Sequence, residues 1–537
     1  MSENIPAPEP PPVPPASAWV PLRHRTFRML WLVWLASNIC MWMNDVTAAW
    51  IMTSLTTSPT LIAMVQTASS MPVFLLGLPS GALADIVDRR RYFMVTQFWI
   101  ATNAAVIYTA SLAGILTPAV LLMLVFSNGI GLAMRWPVYA AILPELLPRI
   151  ELPAGLALNA VAVNGARVAG PLVAGMIITS AGSAYVFALN FFVSIVAGFV
   201  LWRWKREVKV SVLPGERFIG AMRLGFQFVR ESQRMRNAIV RTATFFVHST
   251  ALLALIPLVA TRLGGGAGEY TLLFSCLGVG AIFSATQLPR MRGKWDRDQI
   301  AVGGSVLNAF ATAAVAFAPN TWVAAPAMFA GGMGWIVVAN SVTVAAQLAL
   351  PDWVRARGMS IYQMAIMGGS ALGAFVWGRL AEFTSVPTSL AIASVSMLVF
   401  VEFTRHRTLE GIEDHTPTHP FDEPVPARPV DPDDGPVLVT IEYFIGEERA
   451  AEFDAVMAET RGARLRAGAI SWSLFEDLEK PGRFVEYFVC ATWADYLRRF
   501  DRFTAADEKL HERRHALHIA EGPPRISRHV ARHPVAR

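Results

Sequence analysis

The chain has 537 residues, of which 54% are hydrophobic and only 16% are charged. A typical soluble protein carries roughly 25% charged residues, so this composition excludes an ordinary soluble domain and favours a protein that lies largely in lipid. The net charge of +6 comes from basic residues clustered in particular loops, which indicates membrane topology rather than nucleic-acid binding. The three cysteines, Cys40, Cys276 and Cys490, predict neither a disulfide framework nor a metal site.

The first 22 residues are rich in proline, with five prolines between positions 10 and 15. Such a stretch favours extended, solvated backbone over packed structure. No basic segment is followed by an apolar core and a small-residue cleavage site, so the pattern is not that of a signal peptide. The sequence therefore predicts a disordered N-terminus over residues 1–22.

Long apolar stretches follow, and those at 92–134, 168–202 and 299–351 contain no charged residue. About 20 apolar residues form one helical crossing of a bilayer, so each stretch is long enough to cross and return. Dividing the stretches at turn residues predicts an all-α membrane protein with twelve transmembrane helices in two six-helix bundles, 23–204 and 238–405. The predicted crossings are residues 27–53, 61–84, 92–112, 119–143, 152–180, 184–204, 238–262, 270–289, 300–317, 322–350, 358–381 and 388–403. Six plus six crossings around a connection are typical of transporters with internal repeats.

Basic residues occupy alternate connections between the predicted crossings. They are Arg23, Arg25 and Arg28, then Arg89, Arg90 and Arg91, then Arg149, Arg203, Lys205 and Arg206, then Arg290, Arg292, Lys294 and Arg297, then Arg355 and Arg357. The other connections carry almost none, with Arg262 and Arg379 as exceptions. The positive-inside rule therefore places both termini in the cytoplasm.

The connection over residues 205–237 is predicted to be cytoplasmic and amphipathic. Apolar Phe218, Met222, Phe226 and Val229 recur at helical spacing. Arginines fall elsewhere around the predicted helix, which favours a basic helix on the inner membrane surface that tethers the two bundles.

The connection between the second and third crossings carries a specific pattern from Gly81 to Arg91. A glycine permits close helix approach, an acid ends the helix, and arginines can pair with that acid and with nearby carbonyls. The pattern resembles the cytoplasmic-loop signature of the major facilitator superfamily, and the resemblance extends over residues 23–405. It implies a gating motif that latches the outward-facing state, consisting of Gly81, Asp85, Asp88, Arg89 and Arg90. Asp88 stands where the superfamily more often has glycine, which puts the turn geometry there in question.

One alternative and one comparison bear on this motif. A plain positive-inside cluster explains the arginines but not Gly81 and Asp85. The corresponding loop of the second half, residues 287–295, keeps basic residues but has no acid. We therefore expect only the first half to carry a switchable network of charges.

The fifth predicted crossing contains small residues and a proline, namely Gly165, Gly170, Pro171 and Gly175. Small residues allow tight helix contact and proline bends the helix. The pattern is similar to the glycine-proline motif of exporters in the superfamily, with the glycine spacing only partly kept; ordinary small-residue packing is the alternative. Residues 137–175 as a whole resemble the enterobactin-exporter-like branch, which implies a bacterial protein of the inner membrane.

Ionisable residues inside predicted crossings are candidates for a substrate or proton pathway. They are Asp45, Arg135, Arg167 and His248, to which we add the polar Asn164. A charge near the middle of a bilayer costs roughly 2.5–3.5 kcal/mol on insertion scales, so these side chains should face a cavity or a partner. For Asp45, proton coupling, substrate contact and structural pairing remain open. Arg135 can instead snorkel to the inner surface, and a packing role is the alternative for His248.

After residue 405 the composition becomes acidic and proline-rich, which predicts a linker over 406–436. Residues 437–532 then predict a small cytoplasmic ferredoxin-like α+β domain with the order β-α-β-β-α-β. The predicted strands are 437–444, 470–475, 484–490 and 525–530, and the helices are 447–466 and 492–518. The domain resembles the dimeric α+β barrel family that includes antibiotic-biosynthesis monooxygenases, which implies homodimerisation or regulation. His511, His515 and His518 share metal-compatible spacing, but the charged residues among them favour a solvated helix end and no metal site.

Together these features predict a secondary transporter that exports a small molecule, such as a siderophore, drug or metabolite, by proton-coupled alternating access. Its partners would be the bilayer, the substrate, protons and a second copy, and we expect no cofactor and no nucleic acid. No Gly-x-x-x-x-Gly-Lys-Ser/Thr loop occurs, which argues against an internal ATPase. The alternatives are a membrane-tethered oxygenase and a non-transporting sensor that acts through the C-terminal domain.

Overall fold

The computed structural model describes residues 19–148, 150–204, 218–409, 416, 418, 420–421 and 424–531. The predicted proline-rich lead up to residue 18, the first part of the central connection and much of the linker lie outside the described residues. A short 3₁₀ helix over Val20–Arg23 buries Pro21. Folded structure therefore begins before residue 23, the predicted boundary.

Helices dominate the described chain up to residue 404. In chain order they are α1 (Arg25–Leu55), α2 (Pro59–Ile86), α3 (Arg89–Leu112), α4 (Pro118–Leu146), α5 (Leu152–Ser180), α6 (Ala184–Arg203), α7 (Phe218–Glu231), α8 (Gln233–Arg262), α9 (Ala267–Arg292), α10 (Arg297–Ala316), α11 (Thr321–Leu348), α12 (Asp352–Phe383) and α13 (Val386–Thr404). Several begin at residues whose side chains accept a hydrogen bond from the first turn, as at Ser58, Thr117 and Asn320. Such caps satisfy backbone donors that have no partner inside the helix.

Ten of these helices are long and apolar enough to cross a membrane. α1 and α3 are as long as the others but are not among the ten. α1 carries Asn38, Asn44 and Asp45, and α3 begins with three arginines, which lowers their mean hydropathy. The chain is therefore a multi-pass, mostly helical membrane protein.

The two halves of the helical region repeat one packing pattern. In the first half α1 packs on α5, α2 on α4 and α3 on α6; in the second half α8 packs on α12, α9 on α11 and α10 on α13. Between the halves, α2 packs on α12 and α5 packs on α9. The first bundle (α1–α6) and the second bundle (α8–α13) are thus related by an internal repeat, as in many transporters.

Among the residues that the structure describes, the two bundles share a buried core at one end only. We call this the outer end, since its loops, at 56–58, 181–183 and 384–385, lack clustered cations. A single apolar cluster there joins Met43, Val46 and Ala174 of the first bundle with many side chains of the second, including Leu255, Tyr270, Phe274, Trp377 and Leu390. At the inner end, each buried cluster of described residues contains residues of one bundle and its adjoining segments. The outer end is therefore closed by shared packing.

α7 confirms the predicted helix in the central connection and has a side that packs on protein. Leu224, Phe228 and Val229 are buried, whereas Phe226 is 60% exposed. The helix packs on α12 of the second bundle and on the C-terminal region. α7 therefore does more than tether the bundles.

The C-terminal region, which we call the tail, contains a four-stranded antiparallel sheet. Its elements are β1 (Val437–Phe444), α14 (Ala450–Arg466), β2 (Ser471–Glu476), β3 (Arg483–Cys490), α15 (Trp493–Asp501), α16 (Ala505–His515) and β4 (Arg525–Val530). The strands lie in the order β2-β3-β1-β4. Alternate residues of β1 and β3, such as Val439 and Phe488, enter the tail core. The single second helix predicted from the sequence is instead divided, because Thr504 caps a new helix, α16.

The tail docks on α7 and on the inner end of α12. Gln227 on α7 donates a hydrogen bond to the Ala469 carbonyl at 2.6 Å, and Glu231 pairs with Arg461 at 3.7 Å. The Arg502 guanidinium carbon lies 4.6 Å from the centre of the Trp353 ring. The tail therefore contacts the connection and the second bundle through polar and cation–π contacts.

Candidate transport site

Arg167 lies on α5 and joins the two bundles. Its guanidinium carbon lies 4.2 Å from the ring centre of Trp335 on α11 and 5.4 Å from that of Trp42 on α1. The Nε and Nη1 atoms of Arg167 and both indole nitrogens are buried and have no hydrogen-bond partner among the described residues. Arginine and tryptophan side chains donate hydrogen bonds and accept none. This Arg167 cluster (Arg167, Trp42 and Trp335) therefore suits a ligand with acceptor oxygens and negative charge.

Asp45 lies on α1, three residues after Trp42. It accepts a hydrogen bond from Ser69 Oγ on α2 at 3.2 Å. It is also within electrostatic range of Arg135 on α4 and of Tyr270 on α9. Within the described chain it forms no ion pair at 4.0 Å or less. Of the three roles open to Asp45, structural pairing would require an adjacent cation, and none lies within ion-pair distance among the described residues.

Arg135 is buried, with 1% of its surface exposed. Its Nη1 donates to the Ser37 carbonyl at 3.3 Å, and its guanidinium carbon lies 5.2 Å from the Trp34 ring centre. The expectation that this side chain snorkels to the inner surface is therefore wrong. Apolar and aromatic neighbours within the first bundle, and one backbone acceptor, hold it inside the protein instead.

Asn164 and His248 both bond to their own helices. Asn164 donates to the Ala160 carbonyl at 2.9 Å, and His248 Nδ1 contacts the Thr244 carbonyl at 2.7 Å. His248 is 5% exposed and its ring packs near Trp377. For His248, this geometry favours the packing alternative over a proton relay.

The gating motif forms a network at the inner end of the first bundle. Arg89 pairs with Glu145 of α4, with 2.5 Å between Nη1 and Oε1, and Arg90 donates to the carbonyls of Leu201 and Trp202 at the end of α6. Asp88 caps α3 by accepting from the Arg91 amide at 2.8 Å. Its φ of −54° is ordinary for any residue, so an aspartate here needs no glycine-like turn.

Two members of the motif lie at the end of α2. Asp85 is helical, and its side chain lies outside the described residues. A Cβ placed on Gly81 would lie 3.7 Å from Ser360 Oγ on α12. Gly81 therefore sits where α2 approaches the second bundle.

The second half also has charges at its inner end, which corrects the expected asymmetry. Asp296 caps α10 by accepting from the Gln299 amide, as Asp88 caps α3. Asp298 pairs with Arg241 of α8 and accepts from the Leu409 amide. The acids follow the basic loop rather than preceding it, which is why residues 287–295 alone did not reveal them.

The glycines of α5 serve two different contacts. A Cβ on Gly170 would lie 2.5 Å from Trp42 Cβ on α1, and one on Gly175 would lie 2.5 Å from Thr271 Oγ1 on α9. A Cβ on Gly165 would meet nothing within 4 Å. Pro171 lies inside the continuous helix. Gly170 thus fits α5 to its own bundle, and Gly175 fits it to the other.

Contacts between the bundles at the outer end were not found from the sequence. Ser58 donates to Glu382 at 3.0 Å, Thr67 donates to the Ala371 carbonyl at 2.9 Å, and Trp50 stacks on Tyr270 with 5.6 Å between ring centres. These polar and aromatic residues lie far apart in the chain, so no local pattern pairs them.

The tail histidines are not a solvated helix end. His511 and His515 line a cavity, and Arg514 between them is 4% exposed. The exposed face of α16 is formed instead by Glu512 and Arg513. Within the described parts of the chain, no group of three or more His, Cys, Asp or Glu side chains is arranged to hold a metal ion.

Comparisons with known proteins agree with this architecture. The family model MFS_3, described as "Transmembrane secretion effector", matches residues 16–534. The staphyloferrin A transporter of Staphylococcus aureus (strain NCTC 8325 / PS 47) is 20% identical over 258 residues, which span 47% of this chain and 63% of that protein. The matched part is thus less than two thirds of the relative's length.

Solved structures share the fold of the helical region. A bacterial homologue of the human lysosomal transporter Spinster, in an inward-facing and unoccupied conformation, has a TM-score of 0.56 at 14% identity, covering 72% of this chain and 96% of that chain. A D-xylose-proton symporter has a TM-score of 0.55 at 14% identity, with 70% and 96% covered. The nucleoside transporter NupG has a TM-score of 0.51 at 13% identity, with 71% and 98% covered. At these identities the likeness concerns the fold alone.

Proposed function

We propose, since the chain belongs to the transmembrane secretion effector family of major facilitator transporters, that it exports an organic anion by alternating access. The family match and the solved folds identify a transporter rather than an enzyme. The Arg167 cluster carries the proposal, because it places a cation and unpaired donors between the two bundles. A site held between two repeats can be exposed to each side of the membrane in turn.

The topology in this proposal has twelve crossings in a bacterial inner membrane, with both termini in the cytoplasm. Twelve helices of 19 to 32 residues within the described chain support it, as does the placement of cations in alternate loops. α1 and α3 are less apolar than the other ten, but each packs on helices of its own bundle. Polar residues of such helices can face protein rather than lipid.

The proposed substrate class is a siderophore or another metabolite rich in acceptor oxygens. A distant relative is a staphyloferrin A transporter, and the sequence resembles the enterobactin-exporter-like branch between residues 137 and 175. The donors of the Arg167 cluster fit such molecules, because carboxylates and similar oxygens accept from arginine in charge-assisted bonds.

Protons are the proposed driving ion, and Asp45 is the proposed carrier. Asp45 has one hydrogen bond from Ser69 and no ion pair within the described chain. It lies close to the outer cluster through Tyr270. A carboxyl group whose surroundings change between states can load and release a proton.

For the tail we propose a ferredoxin-like domain similar to the dimeric α+β barrel family, with homodimerisation as its assembly role. The sheet face opposite the helices is apolar and partly open, with Leu438, Val485, Tyr487 and Val489 half-buried and Phe475 stacked on Tyr487. A second copy could cover this face.

Transport of candidate anions in proteoliposomes tests the proposal. Siderophores and other organic anions would be screened for counterflow and for uptake driven by a pH gradient.

We expect R167Q to lower the transport rate at least about tenfold, since it removes the charge, and R167K to retain part of the wild-type rate. R290Q is the matched control, because Arg290 is exposed in the last turn of α9 and donates to Gln287 of the same helix. Equal rates for R167Q and wild type would overturn the Arg167 site, and full proton-driven transport by Asp45→Asn would overturn the coupling role.

A further inference from the structure

The tail contains a partly open cavity of about 610 Å³ that the transport proposal does not use. It lies between the helix-facing side of β1 and β4 and the helices α15 and α16. Its apolar walls include Val439, Ile441, Phe488, Phe500 and Phe503. Volumes of 300–1,000 Å³ with mostly apolar walls and a few polar groups are typical of small-molecule sites.

Four arginines line the cavity, namely Arg464, Arg499, Arg514 and Arg528. One carboxylate, Glu486, lies behind it with no exposed surface. Glu486 is fully engaged, since it accepts from Arg464 at 2.8 and 3.3 Å, from Trp472 at 2.9 Å and from Tyr443 at 2.9 Å. Arg464 is therefore paired.

The other three arginines have no carboxylate partner among the described residues. Arg499, 9% exposed, contacts Cys490 Sγ at 3.9 Å, and Arg514, 4% exposed, donates to Thr460 Oγ1 at 3.2 Å. The Nε atoms of both are buried without a partner. Arg528 Nε donates to Tyr496 OH at 2.6 Å. Arg528 is exposed, but Arg499 and Arg514 are buried cations without an adjacent anion, which is costly, so the cavity has a surplus of positive charge that a bound anion would offset.

The electrostatics of α16 agree with this surplus. Burial, together with the charge of Arg464, lowers the pKa of Arg514. Burial first, and then the neighbours His515 and Arg514, lower the pKa of His511 to about 3. His511 is therefore neutral, and its Nδ1 accepts from Arg514 Nη2 at 3.1 Å. Its proton then sits on Nε2 as an additional donor.

We propose that the tail cavity binds an organic anion that combines an aromatic body with a carboxylate. The arginines supply charge-assisted hydrogen bonds to the carboxylate. The aromatic body fits because the rings of Phe488, Tyr496 and Phe503 line the same space. Arg464 and Arg499 already lie over the Phe488 ring, at 4.8 and 4.0 Å from its centre, so cation and ring surfaces adjoin there. This site is separate from the Arg167 cluster.

Calorimetric titration of the full-length protein in lipid nanodiscs tests the site, with empty nanodiscs subtracted. The probes are 2-naphthoate, its neutral analogue 2-naphthamide, and decanoate, an aliphatic carboxylate of the kind that lipids release. We expect 2-naphthoate to bind with a dissociation constant below about 1 mM. We expect 2-naphthamide and decanoate to bind at least about tenfold more weakly.

Variants locate the binding. R514Q and R528Q should each weaken 2-naphthoate binding about tenfold or more. R513Q is the matched control on α16, because Arg513 is exposed and pairs with Glu459 outside the cavity. Arg528 is on the edge strand β4, so R528Q remains informative if R514Q fails to fold. No binding of 2-naphthoate, equal binding of 2-naphthamide, or full affinity in R528Q would overturn the anion site; equal binding of decanoate would overturn its aromatic character.

Discussion

Arg89 on α3 and Glu145 on α4 form an ion pair inside the first bundle. Both side chains are about a quarter exposed, at 23% and 27%, so the pair contributes about 1 kcal/mol or less. Because the pair joins two helices of the same bundle, it holds the inner end of that bundle together. Asp85 lies at the end of α2, where Gly81 brings that helix close to the second bundle, and it is the member of the motif that we test for the latch of the outward-facing state.

Asp85→Asn should reduce transport at least about tenfold while leaving the protein in the membrane, because it removes the charge and keeps the shape. Glu145→Gln should have a smaller effect. Asp296→Asn, at the equivalent cap of α10, is the matched control, since asparagine also caps a helix and accepts from the Gln299 amide. The measurement is the initial transport rate in proteoliposomes with equal protein content. Unchanged rates in Asp85→Asn would remove the latch role.

Gly175→Ala should destabilise the contact between α5 and α9 by about 1–3 kcal/mol, because the added Cβ would lie 2.5 Å from Thr271 Oγ1. We expect a lower thermal midpoint in detergent and slower transport. Thr271→Gly in the same chain should restore both, since the three atoms nearest to the new Cβ all belong to that side chain. Gly165→Ala, in open space, should behave as wild type. A midpoint for Gly175→Ala equal to that of Gly165→Ala would contradict this account of the contact.

A reversible link between Ser58 and Glu382 should stop transport. These side chains meet at 3.0 Å across the outer end, where the shared apolar cluster closes the protein. In Ser58→Cys with Glu382→Cys, a short reducible thiol cross-linker should hold the outer end closed and abolish counterflow, and reduction should restore it. Each single cysteine variant treated alike serves as the control. Full counterflow in protein shown to be cross-linked would mean that this contact does not open during transport.

The tail should lose stability as the pH falls from about 4.5 to about 2. Burial would raise the pKa of Glu486, but the charges of Arg464 and Arg514 and the hydrogen bonds of Arg464 and Trp472 lower it from 4.5 to about 2. A carboxyl group whose pKa is lower in the folded state stabilises that state above its unfolded pKa, and this contribution is lost as it protonates. Hydrogen exchange of β3 amides, corrected for intrinsic pH effects, measures the loss.

Glu486→Gln should remove this pH dependence and destabilise the tail by about 3–5 kcal/mol, because it leaves Arg464 buried without its anion. Glu476→Gln, at an exposed position on β2, is the control. If Glu486→Gln retained the wild-type slope between these pH values, another carboxyl group would have to account for it.

The sequence predicts the helices well because the signals that determine where a helix lies are local in the chain. Long apolar runs, capping residues such as Ser58 and Asn320, and clustered arginines such as Arg89 to Arg91 identify elements without tertiary information. The Arg167 cluster could be predicted only in part. Arg167 is conspicuous as a charge in an apolar run, but Trp42 and Trp335 are ordinary tryptophans until two distant helices bring them together.

Burial also explains where predictions from the sequence were wrong. Nothing local distinguishes an arginine such as Arg135, which remains inside the bundle, from one that reaches the surface. Charged residues around His511 resemble a solvated helix, yet Arg514 is turned inward because the cavity provides His511 and Thr460 as partners.

The docking of the tail on α7 and Trp353 has a consequence for how motion could be observed. Its described contacts with the helical region fall on the connection and on α12, so tail and second bundle should rotate together when the protein changes state. The distance between a fluorophore on the tail and one on the inner end of the first bundle would then change during each transport cycle. Both labels would lie in the aqueous phase, where they attach readily.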